Sequence, residues 1–368
     1  MLTKADDFPV HQTPEPIAFA GTDRNFYDRY FFNGYSPDGS VFFAAAMGFY
    51  PQLGIIDGAF SLVVDGVQHN VRASRHSVGG ERLDLSVGPM RVEIIAPLQQ
   101  LRVTLEDNDS GISAVLTFDA RHAPIEEPRF TRRNGTRLFM DYTRMTQNGG
   151  WSGTIRRAGG TITMPPGSMG TRDRSWGIRP VGAPEPQPPP AGNFSQFFWL
   201  WTPCNFPGHA VFAHTNDDAA GLPWNRRAVV AKLAKDSKAA ETVDIDHVEL
   251  ALSYAPGGRR VTEARIGLGD RGEFIVRPSG GRFYMHGLGY THPEWSHGMD
   301  HGPLAVAHDS IDLAAMDDNA PGNMHLQALS DAVLRWDGEE HHGRGILEQL
   351  LLGPHAPSGF SGLLDPAG

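Results

Sequence analysis

Cysteine is almost missing: Cys204 is the only one in 368 residues, so no intrachain disulfide braces the fold and a thiolate-rich zinc site is excluded. Basic runs are missing too. No run of lysine or arginine exceeds a pair, and 32 Lys+Arg against 42 Asp+Glu leave a formal charge of −10. That balance disfavours a protein whose work is neutralising phosphates on nucleic acid or an anionic membrane surface. No stretch comes near the roughly eighteen consecutive apolar residues of a membrane span. The opening MLTKADDFPVHQ has no apolar segment after Lys4, so the expectation is a cytoplasmic chain. There is no Gly-x-Ser-x-Gly elbow and no phosphate-cradling Gly-x-x-x-x-Gly-Lys-Ser/Thr loop. The glycine-rich turns open no helix, which removes the dinucleotide-binding reading; no cofactor is expected. What the chain does have is punctuation, with 43 glycines and 28 prolines beside 40% hydrophobic residues. That is too interrupted for a helical bundle and below the bias of low complexity, so an all-β, turn-rich protein is expected.

The strand pattern is regular. Phe26 to Tyr35 is aromatic-rich, reaches a Pro37-Asp38-Gly39 turn and continues into Val41 to Met47, which reads as a hairpin. Further strands are expected over 59–65, 67–74, 82–87, 90–95, 100–106 and 112–120, with Gly58, Gly66, Gly79-Gly80, Gly88 and Asp107-Asn108-Asp109 as breaks. Short strands with turns every 8–12 residues mean a sandwich or barrel.

A proline-rich stretch, Pro180 to Pro190, interrupts the chain at its middle and suits a stiff connector. After it the sequence echoes its own beginning. Phe194 to Trp201, a Pro207-Gly208 turn and Ala210 to His214 echo the opening hairpin, Phe194 lying 167 positions after Tyr27. Gly257-Gly258 similarly echoes Gly79-Gly80. The economical organisation is an extended lead-in over 1–22, a β-lobe over 23–179, a connector over 180–192 and a second β-lobe over 193–368. Segments 303–313, 323–336 and 345–352 would close the second lobe, although Gly345 to Leu352 equally suits a short helix.

Two clusters carry chemistry. In Gly170-Thr-Arg172-Asp173-Arg174-Ser-Trp176-Gly177 a carboxylate sits between two arginines. It is either an ion pair pinning a loop or a carboxyl in an apolar cavity, its pKa raised by desolvation against the arginines. The second cluster holds Tyr284, His286, Tyr290, His292, Glu294, Trp295, His297 and His301. A metal-assisted enzyme using His286, His292, His297 and His301 is the weaker reading, because no His-x-His or His-Glu-x-x-His spacing occurs. Histidines beside glycine and proline more often tie turns together or line a polar cavity end. Aromatics abound at strand positions, and alternation puts Trp199 and Trp201 on one sheet face with Phe198 on the other. Most belong to a core, and a minority is available to line an apolar ligand cavity.

The Arg172-Asp173-Arg174-Ser175-Trp176-Gly177 core, the doubled β pattern and the aromatic hairpins resemble the lipocalin-like superfamily of carotenoid 1,2-hydratase, AttH-like proteins and tocopherol cyclases. His292-Pro-Glu-Trp-Ser-His-Gly298 and Gly353-Pro-His-Ala-Pro-Ser-Gly-Phe360 look like segments of a bacterial branch of it. The resemblance covers roughly residues 24–360 and implies two lipocalin-like β-barrel or sandwich lobes packed together, with a lipophilic, terpenoid-like small molecule as partner. The activities it implies are hydration, cyclisation or isomerisation, or binding without turnover. Proton delivery to an alkene needs a buried acid and π-faces around the resulting cation. Asp173 would be the acid, with Trp176, Trp199, Trp201 and Phe31 as the wall. Tyr284, His286, Tyr290 and Trp295 would complete the substrate site, and His292 and His297 would orient or receive the proton. A pericyclic ring closure would need only a shaped cavity and a donor such as Tyr30 or His286.

Overall fold

The computed structural model describes residues 4–9, 21–77, 81–185, 196–234 and 240–366. The expected Gly79-Gly80 break, most of the lead-in, the second half of the proline-rich connector, Phe194 and Ser195 lie outside them. No helix among the described residues is long and apolar enough to cross a membrane. The protein is all-β, in two compact units.

The first unit carries β1 (Phe26–Tyr35), β2 (Phe42–Tyr50), β3 (Ile55–Val64), β4 (Val67–His76), β5 (Ser86–Val87), β6 (Met90–Ala96) and β7 (Gln100–Leu105). It continues with β8 (Ser113–Ala120), β9 (Ile125–Glu126), β10 (Phe130–Asn134), β11 (Arg137–Arg157), β12 (Gly160–Thr163) and β13 (Met169–Ile178). The second unit holds β14 (Phe197–Asn205), β15 (His209–Asp217), β16 (Pro223–Leu233), β17 (Ala240–Asp244), β18 (Val248–Tyr254), β19 (Val261–Leu268) and β20 (Gly272–Tyr284). The chain then crosses back. Residues 286–312, ending in β21 (Leu304–Asp312), belong to the first unit, and β22 (Leu326–Trp336) and β23 (Glu339–Leu352) to the second.

This crossing differs from the expectation that 193–368 forms one lobe and that 303–313 closes it. β21 pairs along the whole of β4, Leu304 opposite Arg75 through Asp312 opposite Val67, so it caps what would otherwise be an open sheet edge. The run 345–352 is strand, because β23 is bonded on both sides, to β14 and to β22.

In the first unit the strand order β21-β4-β3-β2-β1-β13-β11-β8-β7-β6-β5 curls until β5 meets β3 and β4, closing most of a barrel. Arg75 Nε donates to the Ser86 carbonyl at 2.8 Å across that seam. Inside, Phe32, Phe43, Phe60, Phe118 and Trp151 fill the barrel; Trp151 sits edge-on to Phe43 and Phe118 and donates its indole N–H to the Asn33 carbonyl at 2.8 Å. The Pro37-Asp38-Gly39 turn forms as expected: Asp38 accepts from the Ser36 hydroxyl and the Ser40 amide, and the Ser36 bond above all holds its pKa down at about 2. In the second unit the order β17-β16-β15-β14-β23-β22-β20-β19-β18 curls around Phe198, Leu200, Phe274 and Leu347.

Gly177 closes the Asp-x-x-Trp-Gly motif for a backbone reason. It sits at φ 136° on β13, and a Cβ there would lie 2.3 Å from the Asp141 carbonyl oxygen of β11. Gly177→Ala is expected to destabilise by about 1–3 kcal/mol, read as an earlier urea transition; an unchanged midpoint would refute this account of the motif.

Candidate functional site

Alternation along β13 divides the motif between two faces. Arg172, Arg174 and Trp176 share one face and Asp173 and Ser175 the other, because side chains alternate along a strand. The flanking arginines therefore do not bracket Asp173. Arg174 pairs with Asp28 and Arg172 with Asp7, while Asp173 lies 3.9 Å from Arg144. Trp176 is likewise on the opposite face from Asp173, three residues being an odd number of alternations. Tyr30 follows Arg174: it stacks on that guanidinium at 3.8 Å and donates its hydroxyl to the Asp7 carbonyl. Trp199, Trp201 and Tyr284 belong to the second unit. There, Trp199 donates to Glu348 at 3.1 Å, and His325 and Gln327 each lie 2.7 Å from the same carboxylate. Tyr284 donates to Asp318.

The face of Asp173 holds the richest chemistry. Two rows of side chains run across the strands. One reads Asp173, Phe31, Ala46, Ala59, Arg72 on β13, β1, β2, β3 and β4, and the other Ser175, Arg29, Gly48, Asp57, Ser74. Ala46, Ala59 and Gly48 make a low floor at the centre, with Asp173 and Arg72 at the ends of the first row and Arg29 and Asp57 on either side of Gly48 in the second. Over this floor lies the returning segment 286–301. Arg72 Nε donates to the Gly287 carbonyl at 3.0 Å. The Leu288 carbonyl accepts from Arg29 at 3.2 Å and, at 2.9 Å, from the Nε2–H of His297. Gly298, at φ 76°, gives its amide to Asp57 Oδ2 at 2.8 Å.

Asp57 is the group that sequence reasoning missed. Its Oδ1 accepts from the Tyr50 hydroxyl at 3.1 Å and lies 3.8 Å from Arg29. Burial raises its pKa, with Arg29 pulling the other way. It borders a cavity of about 10 Å³, room for one water, whose other walls include Arg72, Leu288, Trp295, His297 and His301. Among the described residues Arg29 Nε, Arg72 Nη2 and Arg179 Nε are buried donors with no partner. Buried donors of this kind are expensive to leave unmet, and of these three arginines Arg72 lines the cavity.

The histidines divide in role. His297 is buried, and with Nε2–H given to Leu288, its Nδ1 accepts from Arg179 at 3.0 Å. Both nitrogens are engaged, which fixes the neutral tautomer and makes it a holder of Arg179. His292 Nδ1 accepts the amides of Glu294 and Trp295 at 3.2 and 2.9 Å, and burial, then Arg72, lower its pKa. Trp295 stacks on His301 at 3.9 Å, and Tyr290 meets His297 edge-on at 4.3 Å. His286, half-buried, begins the returning segment. Among the described residues no three His, Cys, Asp or Glu side chains converge to hold a metal ion.

Asp173 does not line this cavity. It stands three strands from Asp57, roughly 14 Å at the usual strand spacing. The two are linked through a tyrosine and arginine layer: Arg179 lies over Tyr27 at 4.4 Å and Tyr290 at 5.5 Å, and Tyr27 packs edge-on to Tyr142. Burial, opposed chiefly by Arg179, pushes Tyr27 up to about 12. Arg144 is shared between Glu127 at 2.9 Å and Asp173.

Comparison with solved structures places the two β lobes in the lipocalin-like fold. Kievitone hydratase from Nectria haematococca superposes with a TM-score of 0.55 at 13% identity, covering 96% of each chain. CghA superposes with a TM-score of 0.51 at 13% identity, covering 90% of this chain and 89% of its own, and its structure with Sch210972 matches similarly. An AttH-like protein from Nitrosomonas europaea covers 93% of this chain and 98% of its own at 14% identity and a TM-score of 0.49. No curated protein matches the sequence. The chain belongs to a family of unknown function, DUF8625, whose model matches residues 2–361.

Proposed function

We propose that this protein is a cofactor-independent hydratase, cyclase or isomerase acting on a lipophilic, terpenoid-like small molecule that carries an oxygen function, with Asp57 as proton donor. The observation that carries the reading is a carboxyl group with a raised pKa bordering a water-sized cavity. A protonated carboxyl is what alkene protonation requires. Beside Asp57 the cavity is lined by Ala59 and Trp295, which suit an apolar skeleton, and by Arg72, whose unmet N–H suits its oxygen. The name of kievitone hydratase agrees in reaction type.

In hydration, Asp57 gives its proton to one alkene carbon and the other becomes cationic. A water held in the cavity forms the new C–O bond, and its surplus proton returns to Asp57, leaving the catalyst unchanged. Because Arg29 and Arg72 repel a cation, charge must develop towards the aromatic side of the floor, at Phe31. Asp173, beside Arg144, marks the far end of that row and balances the guanidinium layer. His297 acts as a positioning residue through Arg179.

The test is conversion of a panel of prenylated phenols and terpenoid alkenes in ¹⁸O-labelled water, repeated in deuterated water. An alcohol carrying ¹⁸O identifies hydration. A cyclised or isomerised product with deuterium on carbon and no ¹⁸O identifies the other proton-transfer outcomes. Ligand retained in native mass spectra with no product in either solvent overturns the enzyme reading in favour of a lipophile-binding protein.

A further inference from the structure

At the mouth of the first barrel, on the face of β1 and β13 opposite the candidate site, the chain binds a piece of itself. Residues Lys4–Asp7 form a single turn, and Asp7 is fully buried with Arg172 and Arg174. The Asp7 carboxylate pairs with Arg172 through one oxygen and accepts the Leu98 amide through the other. Its own carbonyl accepts from Tyr30, and the next carbonyl, of Phe8, accepts from Arg174 at 2.9 Å. Arg174 already has a carboxylate from the barrel wall, Asp28. From the wall Arg172 has a neutral partner, Gln147, at 2.8 Å, and at this mouth Asp7 supplies its counter-charge.

The arrangement has the parts of an anion site: a buried guanidinium, a backbone N–H aimed at the same carboxylate, and a further buried donor, Arg172 Nη2, without a partner among the described residues. Gln147, which orients Arg172, is itself fixed by the Leu98 and His122 carbonyls at 2.9 and 2.6 Å. A planar fork held in this way is shaped for a carboxylate. Below it, Phe118 lies 6.0 Å from the Arg172 guanidinium and the aromatic core is filled, which limits an occupant to a few carbons. We propose that this mouth is a binding site for small organic acids, held by the Asp7 carboxylate in this structure and open to a free carboxylate when Asp7 is absent. A guanidinium stripped of its counter-charge in a buried place is strongly destabilising, so an acid that restores the charge stabilises the protein by mass action.

The experiment uses the full chain carrying Asp7→Ala, with acetate and propionate titrated against chloride at constant ionic strength. The thermal midpoint is expected to fall in the variant and to recover saturably with either acid, but not with acetamide. The unaltered chain should show no saturable response. Adding Arg172→Gln to Asp7→Ala should abolish the recovery. If Asp7→Ala does not stay folded in chloride, the same variant is refolded from urea in acetate or chloride, and a higher yield in acetate is expected. Absence of a carboxylate-specific effect in whichever measurement is made, or a recovery that survives Arg172→Gln, overturns the proposal.

Discussion

Asp57→Asn is expected to lower turnover by roughly 10²–10⁴-fold, the usual worth of a positioned general acid, while leaving the fold intact. Asparagine keeps its oxygen for the Gly298 amide and turns its NH2 to the Tyr50 hydroxyl, whose oxygen can accept, so it loses the proton and reverses one hydrogen bond. The pH dependence supplies a second reading of the same group. Its pKa is raised in the folded protein, so the protonated acid persists above the ordinary carboxyl value of about 3.9 and activity decays as pH rises through the raised value. For stability the sign is the same: the favourable contribution is full below the unfolded value and is lost as pH rises through the folded one. At neutral pH the variant should therefore melt no earlier than the parent. Asp173→Asn, which removes a charge beside Arg144, should cost less activity. The reverse ranking, with Asp57→Asn active and Asp173→Asn dead, would move the acid to Asp173.

Asp28→Ala should be the most damaging change in the first unit, at about 3–5 kcal/mol, because it leaves Arg174 buried without its paired carboxylate. Both side chains are fully buried. Burial works against the charge of Arg174, yet Asp28 first and Tyr30 next outweigh it and raise its pKa. Removing the partner leaves the desolvation cost opposed only by the weaker contributions of Tyr30, Asp7 and the Phe8 carbonyl. The double variant Asp28→Leu with Arg174→Met should recover most of the loss, since a packed apolar pair pays no such cost. Urea unfolding checks both. A single variant within about 1 kcal/mol of the parent would show that the pair contributes no more than a surface ion pair does.

The strands were legible because their apolar side faces a core and their turns carry Asp-Gly and Pro-Asp-Gly signals. Asp65 and Gly66, both at positive φ, join β3 to β4 where the sequence places the break. The site was much less so. Gln68, Asn70, Arg72 and Ser74 alternate along β4 as a solvent-facing strand edge does, yet all four are buried. A polar face buried for function and one exposed to water have the same period. Asp57 is one carboxylate in Ile-Ile-Asp-Gly-Ala-Phe, with no motif around it. Asp173 drew attention because Arg172 and Arg174 flank it, although alternation alone already sends those two arginines to the other face. The histidine segment stands out in the sequence for its side chains, as proton handlers and lining of a substrate site, while what it chiefly supplies to the floor is backbone: the Gly287 and Leu288 carbonyls and the Gly298 amide.

The crossing of the chain between its units has a consequence for synthesis. Asn70 and Arg72 find their carboxylate partner, Asp309, 239 and 237 positions later, and Asp57 finds the Gly298 amide 241 positions later. While the ribosome is still making the second unit, the first presents β4 as an unpaired edge with a buried arginine lacking its counter-charge. Such an edge templates pairing with another nascent chain. The floor of the candidate site is thus among the last parts of the first unit to be completed, and a fragment stopped at the mid-chain connector would expose β4 to a neighbouring copy instead of to β21.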